Sequence, residues 1–261
     1  MCKIFSKRLV ITYHGNWGRY NRAGNVAVIL SCRLAYIPIV QNEDSFKKAF
    51  RWNKNAKLIS AYLSSRYIMP LDTEHMLRLL NFRKRYHIVV CTNAWNVTFD
   101  KHHQEIYGIS ALIAWIASQK NYGLAISDPS GNYARYIEQA HFPLPANVLF
   151  LSTPHDFRNV LKVSDAFIRN TTTDAISISI CEALELNVPV LASDSVSRPD
   201  NCLVFSELSK VDLETEIAAG KELLRENPKG QCTQATIEEL LTVYSVVLPQ
   251  NRRKCSKKTK A

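Results

Sequence analysis

Short apolar, β-branched segments alternate with longer amphipathic segments along most of the chain. The short segments predict strands at 8–13, 35–40, 57–59, 87–91, 124–126, 148–151, 166–169 and 190–192. The amphipathic segments predict helices at 27–34, 43–51, 73–81, 108–119, 133–140, 156–163, 178–186, 213–225 and 236–247. Asp72 is expected to cap the third of these helices, and Thr153 to stand at the start of the sixth. Strands that alternate with helices indicate parallel sheets, so the predicted fold class is α/β.

The predicted strands fall into two groups, which indicates two domains of unequal size. Residues 1–75 would form part of an N-terminal Rossmann-like domain, and residues 76–248 a larger C-terminal one. A single parallel sheet is expected between about residue 85 and residue 225. In the smaller domain, 9–12 or 36–40 is expected to be an unpaired edge strand. Residues 249–261 are predicted to be a basic, disordered tail.

Composition excludes several classes of protein. The chain has 261 residues and 46% hydrophobic content, and no apolar run approaches the ~18–20 residues of a membrane-spanning helix. Its seven cysteines are scattered without a CxxC pair, which is typical of a reduced, cytoplasmic protein. Part of the net charge of +10 lies in the tail, which either stays solvated or contacts an anionic membrane surface. No nucleic-acid-binding motif accompanies this charge, so nucleic acid is not an expected partner.

Two carboxylates, Asp174 and Glu182, lie around the start of a helix between two predicted buried strands. Because ligands gather at the carboxyl ends of parallel strands, segment 171–175 is expected at a ligand-binding edge. The helix N-terminus beside Ser177 and Ser179 suits an anionic phosphate. Glu182 would then accept hydrogen bonds from ribose hydroxyls, and Asp174 would address a second sugar, as in a nucleotide-sugar donor. The alternative is an acid that complements the helix dipole, followed by a solvated glutamate.

The surrounding segment carries a family resemblance. Residues 167–205, FIRNTTTDAISISICEALELNVPVLASDSVSRPDNCLVF, resemble the donor-binding segment of retaining glycosyltransferases of family 4, which have the GT-B fold. That family carries two acids separated by seven residues, then Glu-Ala-(Leu/Met), a small or Asn-type turn, Pro-Val and a strand ending in Ser or Thr. The matching residues here are Asp174, Glu182-Ala183-Leu184, Asn187, Pro189-Val190 and Ala192-Ser193-Asp194. Upstream, the stretch LVITYHG at 9–15 resembles a strand end where a histidine approaches the donor sugar.

The resemblance implies a GT-B fold of two Rossmann-like domains, with the N-terminal domain incomplete. It implies transfer of a sugar, with retention, from a nucleotide-diphosphate sugar to a glycan or lipid-linked acceptor in surface polysaccharide biosynthesis. The implied catalytic residues are Asp174 and His14, and the implied donor-binding residues are Glu182, Ser177, Ile178, Ser179, Arg169 and Thr173. Neither a metal nor a cofactor is expected, because the helix dipole and basic side chains carry the phosphate charge. A cytoplasmic protein, peripheral at the inner face of the membrane, is expected.

Two departures from the family pattern leave the activity open. The family has Gly-Arg-Leu and then Lys-Gly, whose cations neutralise the diphosphate, but this chain has CTNAW at 91–95 and EIYG at 105–108. The cations that would have to substitute are Lys101, His102, His103 or Arg169. The N-terminal domain is also short, so a partner chain that supplies the missing half is expected. The alternative is a non-catalytic or truncated donor-binding subunit that acts only with such a partner.

Other candidate residues have simpler interpretations. His102 and His103, close to Asp100 and Glu105, hint at a metal site, but their spacing favours a solvated loop. Trp17 lies close to the candidate His14 in sequence, and core or rim packing is a more common role for tryptophan than a platform for a sugar ring.

Overall fold

A computed structural model describes residues 7–18, 20–65, 67–100, 102–140, 144–174, 177–227 and 235–248. The strands are β1 (Val10–Tyr13), β2 (Ile37–Val40), β3 (Lys57–Leu58), β4 (Ile88–Asn93), β5 (Tyr122–Ser127), β6 (Val148–Leu151), β7 (Ala166–Arg169), β8 (Val190–Ser193) and β9 (Cys202–Phe205). The helices are α1 (Arg22–Leu34), α2 (Glu43–Trp52), α3 (Thr73–Arg85), α4 (Ile109–Ala117), α5 (Asn132–Gln139), α6 (Arg158–Leu161), α7 (Ile178–Glu185), α8 (Leu213–Glu226) and α9 (Ala235–Val247).

The first three strands form a small parallel sheet in the order β1-β2-β3. One face packs against α1 and α2 through a cluster that includes Trp17, Cys32 and Ala49. The other face packs against Val243 of α9, so the last described helix returns to the first sheet. Strand β1 lies at an edge, as predicted for 9–12. The alternative prediction for 36–40 is wrong, because β2 is paired on both sides.

The other six strands form one parallel sheet in the order β6-β5-β4-β7-β8-β9, which confirms the single sheet predicted for 85–225. The chain runs outward from β4 through β5 to β6, then crosses to β7 on the other side of β4. The carboxyl ends of β4 and β7 therefore meet where the strand order reverses, the place at which open parallel sheets form a ligand crevice. Strand β9, at the edge of this sheet, was not among the strands predicted from the sequence.

Side-chain caps explain several helix boundaries. Asp72 accepts from the backbone N–H of His75 at 3.0 Å, which confirms its predicted role at the start of α3. Asn21 caps α1 in the same way, and the helix therefore begins five residues before the predicted start at 27. The prediction for Thr153 is wrong, since α6 begins at Arg158, whose N–H is held by Asp156. None of the helices in the described ranges combines the length and apolarity that a membrane crossing requires. The predicted tail lies outside the described residues.

Candidate functional site

A cavity of about 620 Å³ opens at the carboxyl ends of β4 and β7, between the two sheets. The N-terminal part of the chain lines it with His14, Asn16 and Gln41. The ends of β4 and β7, the loops nearby and the start of α7 line it with Asn93, Trp95, Tyr107, Arg169, Thr173, Asp174, Ser177, Ile178 and Ser179. Of the eight predicted site residues, seven therefore lie around one cavity, and Glu182 lies outside it.

Asp174 is held by two arginines. Its Oδ2 lies 2.9 Å from Nε of Arg169 and 3.2 Å from an Nη atom of Arg198. All three side chains are nearly buried, with 11% of Asp174, 9% of Arg169 and 2% of Arg198 exposed. Both guanidinium groups contact the same carboxylate oxygen, and Oδ1 accepts no hydrogen bond from the described residues. The two arginines therefore fix the orientation of the Asp174 carboxylate at the wall of the cavity.

Helix α7 points its N-terminus at the same cavity. It begins at Ile178, and the side chain of Ser177 does not cap it. The first backbone N–H groups of a helix have no partner within the helix, so here they are available to an anion. Nδ2 of Asn93 donates to Oγ of Ser179 at 2.7 Å, which fixes this end of α7 against the end of β4.

Of the four cations considered as substitutes, Arg169 lines the cavity. It ends β7, and its guanidinium lies 5.0 Å from the ring centre of Tyr107. An Nη atom lies 3.3 Å from Oδ1 of Asn93, at the end of β4. Of the other three substitutes considered, His102 and His103 do not line the cavity, and Lys101 lies outside the described residues.

His14 follows β1 and approaches the cavity from the opposite side to Arg169. Nε2 of the Gln41 side chain lies 2.9 Å from Nδ1 of His14. The Gln41 side chain therefore holds the imidazole ring of His14 in place through Nδ1. Asn16 joins the two halves of the cavity, because its side-chain amide donates to the backbone carbonyl of Asp174.

Glu182 lines a separate, smaller cavity of about 210 Å³, which shares Ala61 and Ile178 with the larger one. Burial raises the pKa of its carboxyl to about 7, an effect opposed by Arg158 and increased by Asp156 and Glu185. The described residues donate no hydrogen bond to this carboxyl group. A half-buried carboxylate that accepts no hydrogen bond from the described part of the chain is suited to accept hydrogen bonds from a ligand.

Sequence reasoning missed Arg198 and Arg158. Arg198 donates to the backbone carbonyl of Ser193 at 2.8 Å and to the Thr171 hydroxyl at 2.9 Å, besides its contact with Asp174. Arg158 lines the cavity of Glu182. Arg198 lies within the segment 167–205 that carries the family resemblance. Nothing in the local pattern predicted that Arg198 would contact Asp174, or that Arg158 would line the same cavity as Glu182.

The remaining candidates have structural roles. Trp17 is 6% exposed and packs in the core of the small sheet, as its more common role predicts. Among the described residues, no three potential metal ligands lie close enough together to hold an ion.

Comparison with known proteins identifies the fold. No protein-family model and no curated protein sequence matches the chain. Among solved structures, Anabaena HepE in complex with UDP-glucose matches with a TM-score of 0.68 and 16% identity, over 94% of this chain and 74% of HepE. Sucrose-phosphate synthase from Thermosynechococcus elongatus matches with a TM-score of 0.59 and 16% identity, over 91% of this chain and 67% of the synthase. The trehalose-6-phosphate synthase OtsA matches with a TM-score of 0.64 and 12% identity, over 93% of this chain and 68% of OtsA. The chain therefore has the GT-B fold of these glycosyltransferases, as predicted from the sequence.

Proposed function

We propose that the protein is a glycosyltransferase that moves a sugar, with retention, from a nucleotide-diphosphate sugar to a glycan or lipid-linked acceptor. The observation that carries this proposal is the arrangement around the larger cavity. A cation, a free helix N-terminus and an oriented carboxylate converge there from three elements. HepE, which shares the fold, was crystallised with UDP-glucose.

The diphosphate would lie between α7 and Arg169. The two guanidinium charges and the single carboxylate of Asp174 leave a net charge of +1 in this cluster. The partial positive charge of the helix N-terminus adds to it, and together they would stabilise the leaving diphosphate. Arg169 would thus supply from β7 the charge that the family places on other elements.

The two carboxylates would hold the two sugars of the donor. Glu182, one turn into α7, would accept hydrogen bonds from the ribose hydroxyls, and Oδ1 of Asp174 would bind the transferred sugar. His14, on the opposite wall, would approach the transferred sugar through Nε2. Retention and a role in surface polysaccharide synthesis are supported by the resemblance of segment 167–205 to family 4. A cytoplasmic location is supported by the cysteines, which are scattered along the sequence without a CxxC pair.

A second candidate is a donor-binding subunit without transferase activity. The favouring observation is that both arginines of the cluster already contact Asp174, which leaves little positive charge for the diphosphate. Such a subunit would bind the nucleotide but act only with a partner chain. Assays of donor hydrolysis and of transfer separate the two candidates, because only the enzyme consumes the donor by itself.

The test of the donor site is calorimetry with the diphosphates of uridine, guanosine and adenosine. Glu182→Gln is expected to weaken binding by about 1–3 kcal/mol, the range for a hydrogen bond to a charged group. The matched control is Glu222→Gln, on the exposed side of α8, where the carboxylate forms an exposed ion pair with Arg225. A wild-type chain that binds none of the three nucleotides would contradict both candidates.

A further inference from the structure

Helix α9 carries an apolar stripe that its packing leaves uncovered. Ile237, Leu241, Tyr244 and Leu248 are 48%, 63%, 48% and 63% exposed. Their spacing of four, three and four residues places them on one side of the helix. The buried side is different, since Thr236 and Val243 are 3% and 4% exposed, and Val243 packs against the small sheet.

A contiguous stripe of this kind marks an interaction surface. Scattered apolar side chains are common on soluble proteins, but a continuous row along a helix is a feature of interfaces and membrane-bound helices. The packing of α9 on β2 fixes the direction in which the stripe faces, so the four side chains are presented together.

The sequence that follows the stripe favours an anionic lipid surface as its partner. Between residues 249 and 261 the sequence has no acidic residue. It has six basic residues there: Arg252, Arg253, Lys254, Lys257, Lys258 and Lys260. Apolar side chains that enter the headgroup region and basic residues that contact anionic lipids together give stable attachment, whereas either alone is weak. The same charge disfavours a second copy of the chain, because two identical basic segments would repel each other.

We propose that the α9 stripe docks the protein on an anionic bilayer surface, with the basic segment that follows it contacting the lipid headgroups. Glu238 lies in the first turn of α9, whereas the basic residues follow its last turn in the sequence, so the C-terminal end of the stripe would enter the bilayer first. This inference does not depend on the transferase activity.

The test is co-sedimentation of the full chain with vesicles of phosphatidylcholine alone, or with about 30 mol% phosphatidylglycerol. The wild type is expected to bind the anionic vesicles, and less so as salt is raised. Leu241→Ser together with Leu248→Ser should lower vesicle partitioning about tenfold or more. The matched control is Val246→Ser, which removes an apolar side chain that is 49% exposed on the opposite side of the same helix and should change little.

Neutralising the six basic residues with glutamine is expected to reduce binding to anionic vesicles while leaving α9 unchanged. Circular dichroism confirms that each variant is folded. Three outcomes would overturn the proposal: no binding of the wild type to anionic vesicles, equal binding of the double serine variant, or equal binding of the glutamine variant. Light scattering completes the test, because a dimer that the serine pair disperses, without any vesicle binding, would identify a second copy as the true partner.

Discussion

At the scale of single residues, the site depends on the pairing of charged side chains that are largely buried from solvent. Arg198 has four acceptors: the Asp174 carboxylate, the Thr171 hydroxyl, and both the carbonyl and the hydroxyl oxygen of Ser193. Burial lowers its pKa, and the neighbouring carboxylate of Asp174 opposes that effect. Arg198 does not line the cavity, so its proposed role is to position Asp174 rather than to touch the substrate.

Replacing Arg198 with methionine is expected to destabilise the fold by about 3–5 kcal/mol, because a buried carboxylate and a buried carbonyl lose a donor. Arg225→Met provides the control, since Arg225 is 75% exposed and its ion pair is worth about 0–1 kcal/mol. Urea unfolding measures both. Arg198→Lys should restore part of the stability but leave kcat lower than wild type at unchanged nucleotide affinity. Equal stability of the two methionine variants would contradict this role.

Glu182 has a cost in stability that follows from its proposed function. In the unfolded chain its carboxyl titrates near 4.5, and in the folded chain burial raises that pKa to about 7. Between these values the folded chain holds more protons, so the free energy of unfolding falls as pH rises from 4.5 to 7 and is constant above. The ionised Glu182 carboxylate, which is proposed to bind a ligand, thus destabilises the protein when no ligand is bound.

Glu182→Gln is therefore expected to raise the free energy of unfolding at about pH 8, by an amount on the order of 2 kcal/mol after allowance for solvent screening. At about pH 3 the variant and the wild type should differ little, because the wild-type carboxyl is then neutral in both states. Urea titrations at the two pH values measure the difference. A pH-independent effect would show that packing, not ionisation, distinguishes the two side chains.

At the scale of helices and strands, two glycines start helices in the left-handed region. Gly108 precedes α4 with φ of 53°, and Gly131 precedes α5 with φ of 69°. A Cβ on Gly108 would lie 2.8 Å from the carbonyl oxygen of Asn170, whereas one on Gly131 would lie 3.5 Å from its nearest neighbour. The first position therefore joins α4 tightly to the end of β7, where the candidate site begins.

The two positions form a matched pair. Gly131→Ala is expected to cost about 1–2 kcal/mol, the strain of a left-handed alanine. Gly108→Ala should cost more, because the same strain is joined by a backbone clash that shifts Asn170 and the neighbouring Arg169. Thermal unfolding compares the two, and calorimetry should show weaker nucleotide binding for Gly108→Ala alone. Equal losses of stability in the two variants would mean that the segment after β7 can move to accommodate the added Cβ at no energetic cost.

The helices and strands were predictable because the pattern that marks each of them is local in the sequence. The contacts between them join residues that are distant in the sequence, so they were not predictable. The buried apolar residues of β4 and β7 mark strands by themselves, and Asp72 marks the start of α3. The pairing of β2 on both sides was not predictable, because the order of strands is set by crossovers that leave no local signal. For the same reason the sequence placed Asp174 and Glu182 in one site, while the structure gives Glu182 its own cavity next to the larger one.

At the scale of the whole molecule, the segment that leaves β3 is tied to the six-stranded sheet beside Glu182. Glu185, on α7, accepts hydrogen bonds from the hydroxyls of Tyr62 and Ser64. Arg158 donates to the carbonyl oxygens of Ser65, at 2.6 Å, and Tyr67, at 2.9 Å. These contacts close one side of the cavity that Glu182 lines and set how the two sheets meet.

Removing the Glu185 carboxylate should loosen the attachment of the segment after β3 to α7. Glu185→Ala leaves the Tyr62 hydroxyl, in a side chain that is 3% exposed, without its partner. Amide hydrogen exchange in 59–65 is expected to accelerate about tenfold, equivalent to about 1.4 kcal/mol of local stability. Glu222→Ala is the control, because it removes only an exposed ion pair on α8 and should leave 59–65 unchanged. A nucleoside diphosphate that binds beside Glu182 should slow exchange in this segment in the wild type, because only the closed arrangement completes the cavity. Exchange that is the same in both variants would show that Glu185 does not hold the connection, and that the apolar packing of Ile59 against α9 does.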